Sequence, residues 1–396
     1  MTDNFPPEVN APATRTFEHC RFWAKNGIEV TVITCFPNFP SGKVFPGYTN
    51  RLYQSEYIDG VRVVRVWSYM TANEGFLKRV LDYLSFALLS FIAGLFIKTD
   101  LIVATSPQFF TTWSGYLLSK LKRKPWIFEL RDIWPESIKS VGAVGSDRII
   151  GLLEKIELFL YRDADKIVAV TDSFKENLTR RGITSQKIEI ITNGVDLSHF
   201  QPQPKPQNLL NSLELNGKWI VGYIGTHGMA HNLDFILNSI SELKDSSIHF
   251  LFIGDGAMKA SLKQQAQDLK LKNVTFLDAV PKDQIPHYIS LIDVALVSLR
   301  KSETFKGVLP SKIFENAAMR KPILLGVDGE ARNLIEKYQS GLFYEPENRQ
   351  QFISTLAQIK QPEIYEQLAN GASKLAQNYD RNQLALRMMN IFKELS

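Results

Sequence analysis

Trp219-Ile-Val-Gly-Tyr-Ile-Gly-Thr-His-Gly-Met-Ala-His231 is the stretch that decides the fold. Its first six residues, rich in β-branched and aromatic side chains, read as a strand buried on both faces. They run directly into a turn holding Gly225 and Gly228, and apolar residues recur at helical spacing from Leu233 onward. A strand that enters a helix through glycines is the βα step of a parallel α/β sheet. In that step the N–H groups of the turn and the partial positive charge of the helix start converge, so Gly225, Thr226, His227 and Gly228 can cradle a phosphate, with Thr226 and His227 adding side-chain donors. The turn is neither a G-x-G-x-x-G nor a P-loop, so an ordinary βα turn, with His227 as a cap or facing solvent, stays open at this point.

The alternation continues on both sides. Downstream stand Ile248-His-Phe-Leu-Phe-Ile253, Val274-Thr-Phe276, Val294-Ala-Leu-Val297 and Pro322-Ile-Leu-Leu325. Upstream stand Val30-Thr-Val-Ile-Thr34, Val61-Arg-Val-Val-Arg-Val66, Leu101-Ile-Val-Ala104, Trp126-Ile-Phe-Glu129, Ile167-Val-Ala-Val170 and Ile188-Glu-Ile-Ile191. Between the halves, Phe200-Gln-Pro-Gln-Pro-Lys-Pro206 lacks periodicity and reads as a linker. The fold class expected is α/β with two Rossmann-like, doubly wound parallel-sheet domains, residues 1–200 and 207–375, and a closing helix over 376–396 that packs back on the first. In such sheets ligands bind outside the carboxyl ends of the strands, which places the expected site in the cleft between the domains.

Composition narrows the function. The 396 residues are 44% hydrophobic and 22% charged, so a full core is affordable and disorder is excluded. A formal charge of +5 without a clustered basic stripe does not suggest nucleic acid. Cys20 and Cys35 are too few for a disulfide framework or a thiolate metal site, and only His227 and His231 share the spacing of a helical metal pair, so no metal is expected. Met1-Thr-Asp-Asn-Phe-Pro-Pro-Glu8 has no basic segment followed by an apolar one, which argues for a cytoplasmic protein without a signal peptide. It opens in a Pro-rich turn where such a domain usually begins with a strand, so a first strand is expected to be missing. Val80 to Ile97 is the most apolar segment, flanked by Lys78, Arg79 and Lys98, and reads either as a buried helix or as a helix in the membrane interface. Lys120, Lys122, Arg123 and Lys124 form a second basic cluster, a solvated face or a headgroup contact.

The richest stretch for chemistry is 299–322, after an apolar strand. Pro310 fits the first turn of a helix, with Ser311 and Lys312 at its amino end, where an anion gathers N–H donors and an ammonium. Glu315 lies one turn on, on the same face as Lys312. A carboxylate so placed suits two vicinal hydroxyls, as on a ribose; a surface salt bridge is the alternative.

These motifs together resemble the GT-B glycosyltransferases of family 4 (group 1), and in particular the bacterial WbuB-like or L-fucosamine transferase subgroup of surface-polysaccharide assembly. The resemblance spans nearly the whole chain through Phe5-Pro-Pro-Glu8, Gly27-Ile-Glu-Val-Thr-Val-Ile-Thr34, Pro37-Asn-Phe-Pro-Ser-Gly-Lys43, Arg131-Asp-Ile-Trp-Pro-Glu136, Asn193-Gly-Val-Asp196, Gly222-Tyr-Ile-Gly225, Gly254-Asp-Gly256 and Leu309-Pro-Ser-Lys-Ile-Phe-Glu315. It implies transfer of a sugar from a nucleotide-diphosphate donor, mostly UDP-linked and here an N-acetylamino sugar, to a lipid-linked or saccharide acceptor. Retention of configuration, no required metal or other cofactor, and peripheral membrane contact come with it.

The family's paired glutamates, seven residues apart, are represented by Glu315 alone, Gly307 standing at the first. The family's Arg and Lys on the diphosphate are missing, Thr226 and His231 standing in that region, so Lys312 and Arg300 are expected to supply the charge. Val308, Leu309, Pro310 and Ser311 would line the donor site, the N–H groups of Leu309 and Ser311 adding donors. Arg131 replaces the family's first-domain His, and Asp132 beside it would orient the acceptor hydroxyl, unless it caps a turn or helix. Glu8 and Asn10 are expected to face the acceptor. A sugar-nucleotide epimerase, a periplasmic-type solute-binding protein and a non-catalytic scaffold are the competing readings.

Overall fold

The computed structural model describes residues 1–39, 42–71, 76–106, 109–133 and 147–395. Pro40, Ser41 and Trp134 to Glu136 of the motifs above lie outside them. The chain divides into two compact units, Met1–Thr192 with Asn382–Ser396, and Asn193–Arg381. The Pro-rich tract from Phe200 thus falls inside the second unit, where the Phe200 ring is buried with Leu210 and Leu215.

In the first unit, helix α1 (Ala11–Lys25) leads to strands β1 (Thr31–Cys35), β2 (Tyr53–Ile58) and β3 (Val61–Val66), then α2 (Phe76–Leu95), β4 (Ile102–Thr105), α3 (Phe109–Lys122), β5 (Trp126–Leu130), α4 (Asp147–Asp163), β6 (Lys166–Ala169), α5 (Asp172–Arg180) and β7 (Ile188–Ile190). The strands form two sheets, ordered β1-β3-β2 and β4-β5-β6-β7. The second is fully parallel, but β2 runs antiparallel to β3, so this unit departs from the single doubly wound parallel sheet expected. Sequence reasoning passed over β2 because Tyr-Gln-Ser-Glu-Tyr-Ile alternates exposed and half-buried residues at a sheet edge and has no apolar run. Met1 and Thr2 tie the two sheets: the terminal amine donates to Val103 O (2.7 Å), Thr105 N to Met1 O (3.1 Å) and Thr2 N to Ile33 O (3.1 Å).

A buried ion pair lies beneath this unit's loops. Arg15 Nε stands 3.2 Å from Glu129 Oε1, and the same guanidinium donates to Ile191 O (2.9 Å) and Thr192 O. Thr105 Oγ1 donates to Glu129 Oε2 (2.8 Å). Burial would push the Glu129 carboxyl up, but Arg15 and Arg131 outweigh it and hold the group down at about 2.

The second unit begins with the short helix α6 (Gln207–Ser212) and continues through β8 (Trp219–Ile224), α7 (Leu233–Ile240), β9 (Ile248–Ile253), α8 (Lys259–Asp268), β10 (Val274–Leu277), α9 (Ile285–Leu291), β11 (Val294–Ser298), α10 (Lys312–Ala318), β12 (Ile323–Gly326), α11 (Glu330–Tyr338) and β13 (Gly341–Phe343). Helices α12 (Arg349–Ile359) and α13 (Pro362–Asn378) follow. All six strands are parallel in the order β10-β9-β8-β11-β12-β13, which in chain order is third, second, first, fourth, fifth, sixth. Every residue of β9, β11 and β12 is buried, as a sheet covered on both faces requires. β13 is only three residues long, too short for its own hydrophobic signal.

The last helix, α14 (Arg381–Leu395), belongs to the first unit but for its first residue. Leu384, Ala385 and Met388 share a core with Trp23, whose Nε1 donates to Ala385 O (2.9 Å).

Arg15→Met leaves the Glu129 carboxylate buried without its closest cation, so urea unfolding should show a loss of about 3–5 kcal/mol. An unchanged midpoint would mean that Arg131 and Thr105 alone satisfy the carboxylate.

Candidate active site

The strand order of the second unit reverses between β8 and β11, and a crevice forms outside the carboxyl ends of strands at such a switch point. The turn Gly225 to His231 leaves β8 there, and the segment that leads to α10 leaves β11. Two glycines make the approach possible. Gly254, at φ +145°, would place a Cβ 1.9 Å from Gly225 O, and Gly225, at φ +147°, would place one 2.9 Å from Lys312 Nζ. Any side chain at either position would separate the turns or displace the lysine.

Lys312 Nζ is sealed from solvent and has no hydrogen-bond partner among the described residues. It lies 3.9 Å from the centroid of the Tyr223 ring, a cation–π contact, and the Tyr223 hydroxyl is fixed by donating to Thr226 O (2.7 Å). Burial pushes the amine down to about 7, with Glu315 pulling the other way. The Glu315 carboxyl is pushed up by burial, against Lys282 and Lys312. His227 is fully buried, neither ring nitrogen has a hydrogen-bond partner among the described residues, and its backbone is pinned by His227 N to Asp255 O (2.8 Å) and Met258 N to His227 O (2.9 Å). Burial, then Lys259 and Lys312, hold its imidazole down at about 4; burial likewise takes His231 to about 3. Both rings stand 5.8 Å from that of Tyr223. Bases held neutral chiefly by desolvation regain their protons when an anion enters, so the cluster is able to receive negative charge.

The neighbouring residues are mostly committed to shaping this turn. Arg300 donates from Nε to Met229 O (2.7 Å) and from Nη2 to both Asp234 oxygens (3.0 Å each), while its backbone N donates to Ala230 O (2.8 Å). Its guanidinium therefore holds the loop in place. Pro310 O accepts from Ile313 N (3.0 Å), and the helix proper starts at Lys312, so Pro310 and Ser311 form the turn before α10. Leu309 O accepts from Asn193 Nδ2 (3.4 Å), and Val308 N donates to Phe305 O (3.1 Å). An open pocket of about 320 Å³, lined by Asp255, Gly256, Lys259, Lys263 and Asp278 among others, adjoins the turn.

In the first unit, Arg131 and Asp132 follow β5. Arg131 N donates to Ser106 Oγ (2.9 Å) and Nη1 to Pro12 O (3.3 Å), and burial lowers its guanidinium to about 10 despite Glu129. Burial raises Asp132 to about 6. Glu8 Oε1 accepts from Asn38 N and Phe39 N (2.8 Å each), its Oε2 is buried and has no hydrogen-bond partner among the described residues, and burial raises the carboxyl to about 6. Asn10 caps α1, accepting from Ala13 N (2.9 Å), and its Nδ2 donates to Asn4 Oδ1 (2.6 Å). No group of three or more His, Cys, Asp or Glu residues gathers for a metal among the described residues. Sequence reasoning missed Tyr223 as a partner of Lys312; its signal was an aromatic residue two positions before the glycine turn.

The buried amine has a signature of its own. Unfolded, Lys312 keeps its proton up to its ordinary 10.5; folded, only to about 7. Between these values the unfolded chain binds more protons, so this group's cost to stability is full below pH 7 and fades as pH rises to 10.5. Lys312→Met should therefore raise the melting temperature more at about pH 6 than at about pH 9. Equal gains at both would show that the amine is not desolvated.

Residues 13–199 match the family described as Glycosyltransferase Family 4, and residues 207–375 the family described as Glycosyl transferases group 1. WcaI of Escherichia coli (strain K12), named for glycosyl transfer in colanic acid biosynthesis, is 27% identical over 345 residues, which are 85% of this chain and 82% of that protein. Sucrose-phosphate synthase from Thermosynechococcus elongatus superposes with a TM-score of 0.77 at 17% identity, covering 98% of this chain and 94% of that one. Alr3699/HepE of Anabaena, solved in complex with UDP, superposes with a TM-score of 0.67 at 18% identity, covering 85% and 86%. The fold these similarities share is GT-B, and the chain carries a family 4 glycosyltransferase domain followed by a group 1 glycosyltransferase domain.

Proposed function

We propose that the protein transfers a sugar, an N-acetylamino sugar by its sequence resemblance, from a UDP-linked donor to a lipid-linked or saccharide acceptor in surface-polysaccharide biosynthesis. The observation that carries this reading is the sealed, unpartnered ammonium of Lys312 at the switch point of the second sheet. The leaving diphosphate gains negative charge as the glycosidic bond breaks, and fixed donors aimed at it lower the barrier. Lys312 and His227 supply them from side chains, and the Gly225 to Gly228 and Leu309 to Ser311 segments from backbone. Glu315 accepts the two ribose hydroxyls.

Retention follows from attack on the face the diphosphate leaves. The bond from the anomeric carbon to the phosphate oxygen breaks, the bond to the acceptor oxygen forms, and the acceptor's proton passes to the departing phosphate oxygen. No metal enters this scheme. Asp132 orients the acceptor hydroxyl with Arg131 beside it. Glu8 offers its unbonded Oε2 to the acceptor, and Asn10 holds the start of α1 next to it. A lipid-linked acceptor would place the protein at the inner face of the cell membrane as a peripheral protein.

The test is release of UDP from a panel of UDP-sugars. Lys312→Met, folded and at least as stable as the parent, should release UDP about a hundredfold more slowly; retained activity would refute the phosphate role. Epimer formation without UDP release would identify an isomerase instead. Glu315→Gln should weaken UDP binding by about 2 kcal/mol in calorimetry, as loss of a charged hydrogen bond does, and an unchanged affinity would remove the ribose contact.

A further inference from the structure

Helix α2 carries an apolar stripe on the side it exposes. Leu81, Leu84, Leu88, Ile92 and Leu95 recur at three- and four-residue spacing, one helix face, and each is exposed, Leu88 by 58%. The opposite side is equally apolar, with Phe86 fully buried. Helix α3 repeats the pattern with Phe110, Trp113, Leu117 and Leu121, and α4 adds Leu152 and Phe159, the latter stacked on Trp113 with ring centroids 6.1 Å apart. A helix with an apolar inward side and an apolar outward stripe, the stripe continued on two neighbours, is not the surface of a monomer facing water alone.

The helices run side by side in one direction. Ser114 Oγ donates to Ala87 O (2.7 Å), a Cβ on Gly94 would meet Leu118, and Lys122 Nζ donates to Leu95 O and Ile97 O (2.9 Å each). Between them lies a groove of about 350 Å³, lined by Leu84, Leu88, Phe91, Phe110, Trp113 and Leu117, with Ser114 its one polar side chain. At the carboxyl ends of both helices the character changes. Lys98, Lys120, Lys122, Arg123 and Lys124 gather there, and only Lys120 and Lys124 are paired with acids, Asp163 and Asp100, among the ion pairs of the described residues. Phe96, 84% exposed, and Leu121, 64% exposed, project from among these cations. No helix among the described residues is long and apolar enough to cross a membrane.

We infer that the α2–α3 groove takes an aliphatic chain of an anionic bilayer lipid, whose phosphate headgroup meets the basic end of the two helices. An apolar slot that ends in cations matches a molecule that joins a long hydrocarbon chain to a negative charge, as an anionic bilayer lipid does. The inference rests on the peripheral membrane contact of the proposed function and not on which sugar is moved.

Vesicles of phosphatidylcholine, with and without phosphatidylglycerol, test it by flotation, together with acyl chains brominated along their length to quench tryptophan. The protein should float with the anionic vesicles only, less at raised salt, and the brominated chains should quench its fluorescence. Trp113→Phe should abolish that quenching while leaving flotation, and Leu88→Gln with Leu117→Gln should lower vesicle partition at least about tenfold. Undiminished UDP binding by the double variant shows that it has folded and keeps this test separate from that of sugar transfer. Absence of flotation overturns both the groove and the peripheral contact. Flotation with quenching that survives Trp113→Phe, or with full partition of the double variant, overturns the groove alone. A concentration-dependent dimer abolished by the double substitution would make this face a subunit interface and overturn the inference.

Discussion

An ammonium withdrawn from water and given an aromatic face instead of a counter-ion is the constraint around which the second unit is arranged. A charge so placed is costly, and Lys312 meets that cost by giving up its proton near neutrality. The requirement reaches outward: the Tyr223 ring must be fixed, so its hydroxyl is bonded to the turn above, and the turn must come close, so Gly225 and Gly254 carry no side chains. Arg300 then clamps the far end of the same loop through Met229 and Asp234. The parallel sheet supplies the location, since only at the reversal between β8 and β11 do two such loops part to leave room for a ligand.

The first unit handles charge in the opposite way. Arg15, Glu129 and Thr105 satisfy one another out of solvent, with two backbone carbonyls completing the guanidinium's bonds. Arg131 and Asp132 follow Glu129 two and three residues along the chain. There burial pushes the Asp132 carboxyl up to about 6.

Much of this was legible in residue order. The apolar runs became strands because a sheet covered on both faces needs no alternation, and β9 and β11 are buried along their entire length. The i, i+3 relation of Lys312 and Glu315 already places them on one face of a helix. What stayed hidden were features decided by distant partners. Arg300 looks like a phosphate ligand until Asp234, in another βα unit, is seen to hold it. Asn10 looks available until Ala13 N is found on its carbonyl oxygen. β2 hides because an edge strand can be polar. The outward-facing leucines of α2 were equally ambiguous, since the same string of letters serves a helix buried in protein and one turned toward something else.

The chain enters the second unit at Asn193 and leaves it at Arg381, and these two points touch: Val195 N bonds Tyr379 O (3.0 Å) and Arg381 N bonds Val195 O (2.9 Å). A body whose entrance and exit share one small seam is an insertion cassette. Recombination that exchanged it between related genes would have a single junction to match, so lineages could trade this second unit while the host unit, closed by its own returning α14, kept its core intact.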